Sequence, residues 1–583
     1  MKRRRSSGSN SAAAIYIDED YNKIVSIVSK AFVQKKLHLA AEQLLNNVGK
    51  KCALPLVDSD WICGPEEATK YFEECILVHE KTLLWLAQAF TPFQWLWYLR
   101  RLPDHAFLST DDLGLGLHVA ALAEVVSGYG PETHAGEITL GTTEPRFDTS
   151  DKALNAVVDL VVAARYLNVM HQMVQHASRG TSFSFKDEHP VFPRALISAE
   201  QLKAEELFQS RFNKSTRLDS PLIMRNAGTQ LAHLSLDGEI DTSSCIFAVM
   251  RCHSHLSKVA IRVQHGGYVA DGVQVFQRYL PCPVSLKRLI ELQTMNASVV
   301  KDWWSPDAPA LLQLMRLAPA WMDEHYRDVP VRQYGYMRLL RSDLRKWWEV
   351  DAEVASQALM EIFPGIPTTF EQFISALQTS GSMRPLKFGP IARSHGQWMI
   401  IDLYAATHKL NTSFEFPKRG YMTKEKGDHF ENTVQAVIDS SPWRPSNDLR
   451  KYITRKDRHL KRADGSSITD VDAIGQKDNT LLLVSVKAFT QSADYDAAKG
   501  NAVRNLVDAV HTAIYEARAK QKELSERRTS SNYDFSKFSQ ILMPVCTLLP
   551  IELPIGPGTQ EIDPGLYVAT SLDELAEWLI RSG

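Results

Sequence analysis

The chain has 583 residues, 44% of them hydrophobic and 23% charged, which excludes the collagen-like, wholly disordered and disulfide-scaffold classes. Its 66 Lys and Arg stand against 68 Asp and Glu, a net charge of −2, so any nucleic-acid signature has to be local rather than global. Seven cysteines, an odd count in a long chain, suit reduced thiols and a cytoplasmic location.

In chain order, residues 1–20 begin with MKRRR but reach Asp18, Glu19 and Asp20 without an apolar segment, so they read as a disordered basic tail and not a secretory signal. Residues 21–215 show apolar residues at spacings of three and four, as in YFEECILVHEKTLLWLAQAF, which predicts a helical domain. The most apolar stretch, AVVDLVVAARYLNVM, carries Asp159 and Arg165 and is not expected to span a membrane. Residues 216–380 read as a second helical domain with a few strands around positions 245 to 276, the small α+β portion of a mostly α amino-terminal body.

Within it Trp303, Trp304, Trp321, Trp347 and Trp348 sit among Leu and Met, where core packing outweighs base stacking as the explanation. Cys245, Cys252, His253 and His255 lack the paired spacing of a zinc site. No phosphate-binding Gly-x-x-x-x-Gly-Lys-Ser/Thr loop and no Gly-x-Ser-x-Gly nucleophile turn occurs. Residues 381–419 read as a connector, a hairpin followed by a helix, and FPKRGYMTKEKG as a charged linker beyond it.

From Gly420 to the end the order of elements is more telling. GDHFENTVQAVIDSSP predicts a helix with Phe430, Val434, Val437 and Ile438 as its buried stripe and Glu431 at the border of that stripe. SSITDVDAIG and LLLVSVKAF have strand composition and a short connection at Gln476 to Asn479, so they are expected to pair as a hairpin. Period-two alternation then places Asp470 and Asp472 on one face, Ser485 and Lys487 together, and Leu482, Val484 and Val486 on the opposite, helix-packed face. A long helix through Val503 and Ile514, the strand SQILMPVCTLLP, the strand LYVAT and a helix opened by the capping box Ser571 to Glu574 complete the region.

This order, with GDHFENTV, TDVDAIG and VSVKA in it, resembles the PD-(D/E)XK nuclease superfamily over residues 420–583, though not over the first 400. The resemblance implies an α/β restriction-endonuclease-like domain, a mixed central sheet flanked by helices, hydrolysing phosphodiester bonds of DNA or RNA in a bacterial restriction or anti-phage system. Asp472 matches the Asp motif and Lys487 its lysine, whereas Ser485 stands where the family has an acid. The cofactor implied is Mg²⁺ or Mn²⁺, with Asp472 as central ligand, Glu431 as second acid, the Val486 carbonyl as neutral third ligand, and Asp470 or an acid on the following helix compensating for Ser485. Asp494, Asp496 and Asp508 are the other acids in reach of that role. Lys487 is expected to orient the attacking water and hold transition-state charge.

The run RKYITRKDRHLKR puts Arg450, Lys451, Arg455, Lys456, Arg458, Lys461 and Arg462 within thirteen positions, an excess suited to phosphate contacts, with Tyr452 and Trp443 as stacking candidates. The helical body is expected to recognise a substrate or protein partner. The rival expectation is a decayed nuclease-like subunit, Ser485 being its lesion, that binds nucleic acid or scaffolds an assembly without cutting.

Overall fold

The computed structural model describes residues 18–47, 62–107, 113–132, 145, 147–185, 193–214, 245–251, 257–265, 268–285, 308–322, 327–360, 366–378, 389–415, 420–454, 458–489, 499–548 and 550–582. Helices dominate it, with several small sheets. The expected tail is shorter than predicted at its inner end. Asp18 accepts a hydrogen bond from the Tyr21 amide and caps helix α1 (Glu19–Ile27), while residues 1–17 lie outside the described part.

The body is built around two apolar cores. In the first, α2 (Lys30–Asn47), α3 (Pro65–Ala87), α4 (Pro92–Leu99), α5 (Leu113–Ser127) and α6 (Asp151–Ser178) surround Phe72, Trp95, Trp97 and Leu160. Helix α4 starts where it does because Thr91 and Gln94 form a reciprocal capping box ahead of Pro92. Helix α6 is long and apolar enough to cross a bilayer, and 67% of its apolar window is buried inside this core. Helix α7 (Ala199–Lys214) follows the small antiparallel sheet β1 (Ile62–Cys63), β2 (Ser182–Ser184) and β3 (Arg194–Leu196).

The second core gathers five helices and one of two antiparallel pairs, β4 (Cys245–Arg251) with β7 (Tyr279–Ser285). The other pair is β5 (Ser257–His265) with β6 (Tyr268–Gln277). Helices α8 (Ala308–Met322), α9 (Asp328–Tyr334), α10 (Arg341–Met360), α11 (Phe370–Gln378) and α12 (Leu403–Glu415) enclose Leu311, Trp321, Trp348 and Phe373, so these tryptophans are packing residues; Trp303, Trp304, Cys252, His253 and His255 lie outside the described residues.

The stretch read as a connector is in fact the seam of the body. Strands β8 (Tyr336–Leu340), β9 (Ala392–His395) and β10 (Trp398–Asp402) form one antiparallel sheet in the order β8-β10-β9. Alternation along it feeds both cores: Tyr336 and Ile400 enter the first, Met337, Leu339, Met399 and Ile401 the second. A run as apolar as Met-Ile-Ile is what a strand covered on both faces requires. Arg100 is buried at this seam, with Nε and Nη2 on Glu124 at 2.5 and 2.8 Å, Nη2 on Asp402 at 2.9 Å and Nη1 on the Tyr334 carbonyl at 2.8 Å.

The carboxyl-terminal domain is a sheet between helices. Helix α13 (Gly420–Asp439) runs back through the sequence expected to be a charged linker. After α14 (Asn447–Arg450) come the small pair β11 (His459–Lys461) and β12 (Ser467–Asp470). In the main sheet β13 (Ala473–Lys477) is antiparallel to β14 (Thr480–Lys487), while β15 (Gln540–Leu542), β16 (Val545–Thr547) and β17 (Ala569–Ser571) run parallel to their neighbours, in the order β13-β14-β16-β17 with β15 beside β14. Helix α15 (Gly500–Glu526) covers one face, taking Leu481, Leu483 and Ile474 against Val510 and Ile514. Helices α13 and α16 (Leu572–Arg581) cover the other, taking Leu482, Val484 and Val486 against Phe430, Val434, Ile438 and Trp578. Each such buried Leu or Val contributes about 1.5–3 kcal/mol, so period-two patterning on both faces fixes the register strongly.

This domain is clamped to the body. Arg211 of α7 forks onto Glu574 at 2.6 and 2.8 Å and donates to the Ala569 carbonyl at 2.7 Å, and Arg179 pairs with Glu552 at 2.8 Å. The Gly500 amide donates to Glu73 at 3.0 Å, and a Cβ there would lie 2.5 Å from Thr69 Cγ2, so the helices meet too closely for a side chain.

Candidate functional site

One end of the β13/β14 hairpin carries the cluster. The hairpin closes at its other end through Asp478 and Asn479, with Asp478 in the left-handed region at φ 48, so the turn is two residues and Gln476 and Lys477 belong to the strand. At the open end β13 begins with Ala473 opposite Val484, and β14 runs on for three residues to Lys487. The segment expected as one strand is therefore two, β12 and β13, broken at Val471 and Asp472. Freed from the ladder, the Asp472 carboxylate takes the place of a strand partner: Oδ2 accepts the Val486 amide at 2.9 Å. Because a strand residue directs its N–H and C=O to the same edge, the Val486 carbonyl emerges on that edge too.

Glu431 reaches this point from α13. The helix is pinned to the strand by Gln435, one turn further on, whose side-chain amide donates to the Ile474 carbonyl at 3.1 Å and accepts the Ile474 amide at 2.8 Å. Glu431 and Asp472 converge on one nitrogen: Arg458 Nη2 lies 3.1 Å from Glu431 Oε2 and 3.1 Å from Asp472 Oδ1. The three side chains are 22, 12 and 24% exposed for Glu431, Asp472 and Arg458, a pocket that is dry on one side and open on the other.

The electrostatics follow from that crowding. Burial and then the neighbouring Asp472 carboxylate push the Glu431 carboxyl up to about 6, against the pull of Arg458. Burial also raises the Asp472 pKa, opposed by the Val486 amide and by the charges of Lys487 and Arg458, so Lys487 stands within electrostatic reach of this acid. Burial alone would lower the Arg458 pKa; Glu431 and Asp472 more than reverse it.

The predicted residues divide as follows. Glu431, Asp472, Val486 and Lys487 are brought together. Ser485 is on the same extended edge region, its amide bonded to the Pro544 carbonyl at 3.0 Å and its side chain half-buried. Asp470 does not join the two acids on a shared strand face. It ends β12 and pairs with His459 Nδ1 on β11, although its charge still reaches Asp472 and Arg458. Asp508 is exposed on α15, and Asp494 and Asp496 lie outside the described residues.

Three residues of the basic run are paired within the protein. Arg450 pairs with Asp439 at 2.7 Å, Arg462 forks onto Glu523 at 2.5 and 2.8 Å, and Arg458 holds the two acids, so these three are not the unpaired cations expected of a phosphate-binding face. Lys451 lies 4.8 Å from the centre of the Tyr452 ring, and Lys461 is exposed on β11. Arg455 and Lys456 are outside the described residues. Tyr452 and Trp443 are buried, Trp443 against Trp578, and Lys451–Ile453 form a single 3₁₀ turn, so neither aromatic is a stacking platform.

Two roles escaped sequence reasoning, those of Gln435 and Arg458. Gln435 was visible only as the residue four beyond Glu431 on the same helix. Nothing in the spacing marks Arg458, fourteen residues before Asp472, as the cation between the acids.

The donor set suits a hard cation. Two carboxylate oxygens already share one positive atom, a backbone carbonyl emerges alongside, and the Ser485 hydroxyl is a neutral oxygen nearby in the chain. Among the described residues no three His, Cys, Asp or Glu side chains form a ready cage. Mg²⁺ commonly binds through one or two carboxylates and keeps its waters, so two acids fit it where a fully protein-built cage would not. No protein-family model, curated protein or solved structure significantly matches the chain.

Proposed function

We propose that the carboxyl-terminal domain hydrolyses phosphodiester bonds of nucleic acid, DNA in the first place and RNA as the alternative, with Mg²⁺ or Mn²⁺ as cofactor. The observation that carries this reading is the convergence of Glu431 and Asp472 on one cationic atom, with Lys487 in reach, at the open end of a hairpin inside a helix–sheet–helix domain. Glu431 and Asp472 would hold the cation, with the Val486 carbonyl and Ser485 hydroxyl as neutral oxygens. When bound, it would supply stabilisation for the charge added to the phosphate and a more acidic water. Lys487 would hold phosphate charge on the same side, and Asp472 would keep its orientation through the Val486 amide. A restriction or anti-phage setting follows from the same resemblance, with the helical body as the substrate- or partner-recognising part.

The test uses the full chain on labelled single- and double-stranded DNA and RNA, with Mg²⁺ or Mn²⁺ against chelator. Cleavage should require the cation, and Asp472→Asn and Lys487→Ala should each abolish it while leaving the far-UV spectrum unchanged. Cutting by both variants at the wild-type rate would overturn the assigned roles.

A second reading is favoured by Ser485 in the acid position and by the arginine lying across the remaining acids. It makes the domain a non-catalytic nucleic-acid-binding or assembly subunit, and it predicts salt-sensitive binding with no cation-dependent cleavage.

A further inference from the structure

We propose that Arg458 is a displaceable counter-ion, occupying the seat between Glu431 and Asp472 in the resting chain and leaving it when a divalent cation enters. The inference rests on reading this pair of acids as a cation site, and adds to it the residue that governs entry.

The first observation is how Arg458 binds. Three arginines that tie distant parts of this protein together present a fork: Arg211 meets Glu574 through Nε and Nη2, Arg462 meets Glu523 through Nε and Nη2, and Arg100 meets Glu124 in the same way while Nη1 takes a carbonyl. Arg458 instead reaches both acids through the single atom Nη2, and its Nε is buried with no hydrogen-bond partner among the described residues. A guanidinium in that pose uses one of its nitrogens as a point charge and forgoes the planar two-bond geometry that makes arginine a strong structural partner.

The second is what is fixed and what is free. The Arg458 carbonyl accepts the Val471 amide at 2.9 Å, next to Asp472, and the following residues pair with β12, so the backbone is anchored beside the site. The side chain is 24% exposed and can rotate outward without moving that backbone. Asp470, whose charge already reaches Arg458, and a phosphate group of the substrate are the partners on offer outside the seat.

The third is a matter of charge. Arginine does not lose its proton in proteins, so it cannot become a ligand. A guanidinium and a dication cannot share two carboxylate oxygens without strong repulsion in a half-buried pocket. Entry of one therefore requires exit of the other.

The experiment measures Mn²⁺ binding to the full chain without nucleic acid, by the electron paramagnetic resonance of free Mn²⁺ at fixed pH and ionic strength. Arg458→Gln should bind Mn²⁺ at least about tenfold more tightly than wild type. Arg458→Lys, which keeps the charge, should resemble wild type, and Arg458→Gln combined with Asp472→Asn should lose the gain. Should Arg458→Gln fail to fold, Arg458→Met carries the same comparison. Binding by the uncharged variant that is no tighter than wild type, or a gain equally present in Arg458→Lys, overturns the counter-ion role. Cleavage by wild type together with either of those results removes this inference and leaves the hydrolytic reading intact. Tighter binding by Arg458→Gln with no nucleic acid cut by wild type does the reverse. Absence of Mn²⁺ binding in every variant overturns both.

Discussion

Arg100 and Arg458 each sit between two acids, and they are built for opposite ends. Arg100, at the seam of the body, is 2% exposed, and its Nε, Nη1 and Nη2 all have partners: Glu124, Asp402 and the Tyr334 carbonyl. Burial opposes its charge, yet Asp402 and Glu124 outweigh that and raise its pKa. Arg458, at the end of the β13/β14 hairpin, is about a quarter exposed, bonds through one nitrogen and leaves Nε without a partner among the described residues. The same residue types make a permanent joint where every guanidinium nitrogen has a partner in the dry interior, and a loose one where solvent reaches the group. Counting ion pairs would miss the distinction; counting satisfied nitrogens shows it.

The comparison is broken most forcefully at the seam. Arg100→Met leaves Glu124 and Asp402 facing each other inside the protein, and should cost about 3–5 kcal/mol or prevent folding, read from urea unfolding and soluble yield. A loss below about 1 kcal/mol would show that the joint is not a structural one. Next comes the helix-to-strand pin of the candidate site. Gln435→Leu strips partners from the Ile474 amide and carbonyl and should cost about 1–3 kcal/mol, with a loss of cation-dependent cleavage that exceeds the loss of stability, since Glu431 rides on the same helix. Equal activity per folded molecule would free Glu431 from that dependence.

Smaller again is the start of α16. Ser571 caps this helix and shares Glu574 with Arg211, so Ser571→Ala should lower stability by about 1 kcal/mol in the same unfolding assay. The smallest effect belongs to the proposed counter-ion: Arg458→Gln should change stability by no more than about 1 kcal/mol, because a partly exposed pair gives up in desolvation and ordering most of what it gains. A drop as large as that at Arg100 would make Arg458 a structural residue and erase the contrast.

Much of the carboxyl-terminal domain was legible before any coordinates. The alternation Leu482, Val484, Val486 predicted one helix-packed strand face, and the stripe Phe430, Val434, Ile438 predicted the helix that covers it; that Leu481 and Leu483 are buried on the other face came from the structure. Glu431 was placed by its offset from that stripe, whereas Asp472 and Lys487 were singled out with the motifs TDVDAIG and VSVKA. The seam sheet was harder to read, since Met399 to Ile401 looks the same whether a hairpin merely bridges two parts or lies at the centre of both. The basic run misled for a related reason: Arg450, Arg458 and Arg462 are adjacent in sequence to one another but adjacent in space to Asp439, Glu431, Asp472 and Glu523.

What the amino-acid sequence determined by itself was therefore everything set by local periodicity: the kinds of element, their order, and which side of each is apolar. Burial follows period, and period is written along the chain. Only the tertiary structure decided which charge meets which, because an ion pair depends on distance through space, and the partners here are separated by 14 residues for Arg458 and Asp472 and by 302 for Arg100 and Asp402. That is why the acids of the candidate site could be named in advance while the cation already seated between them could not.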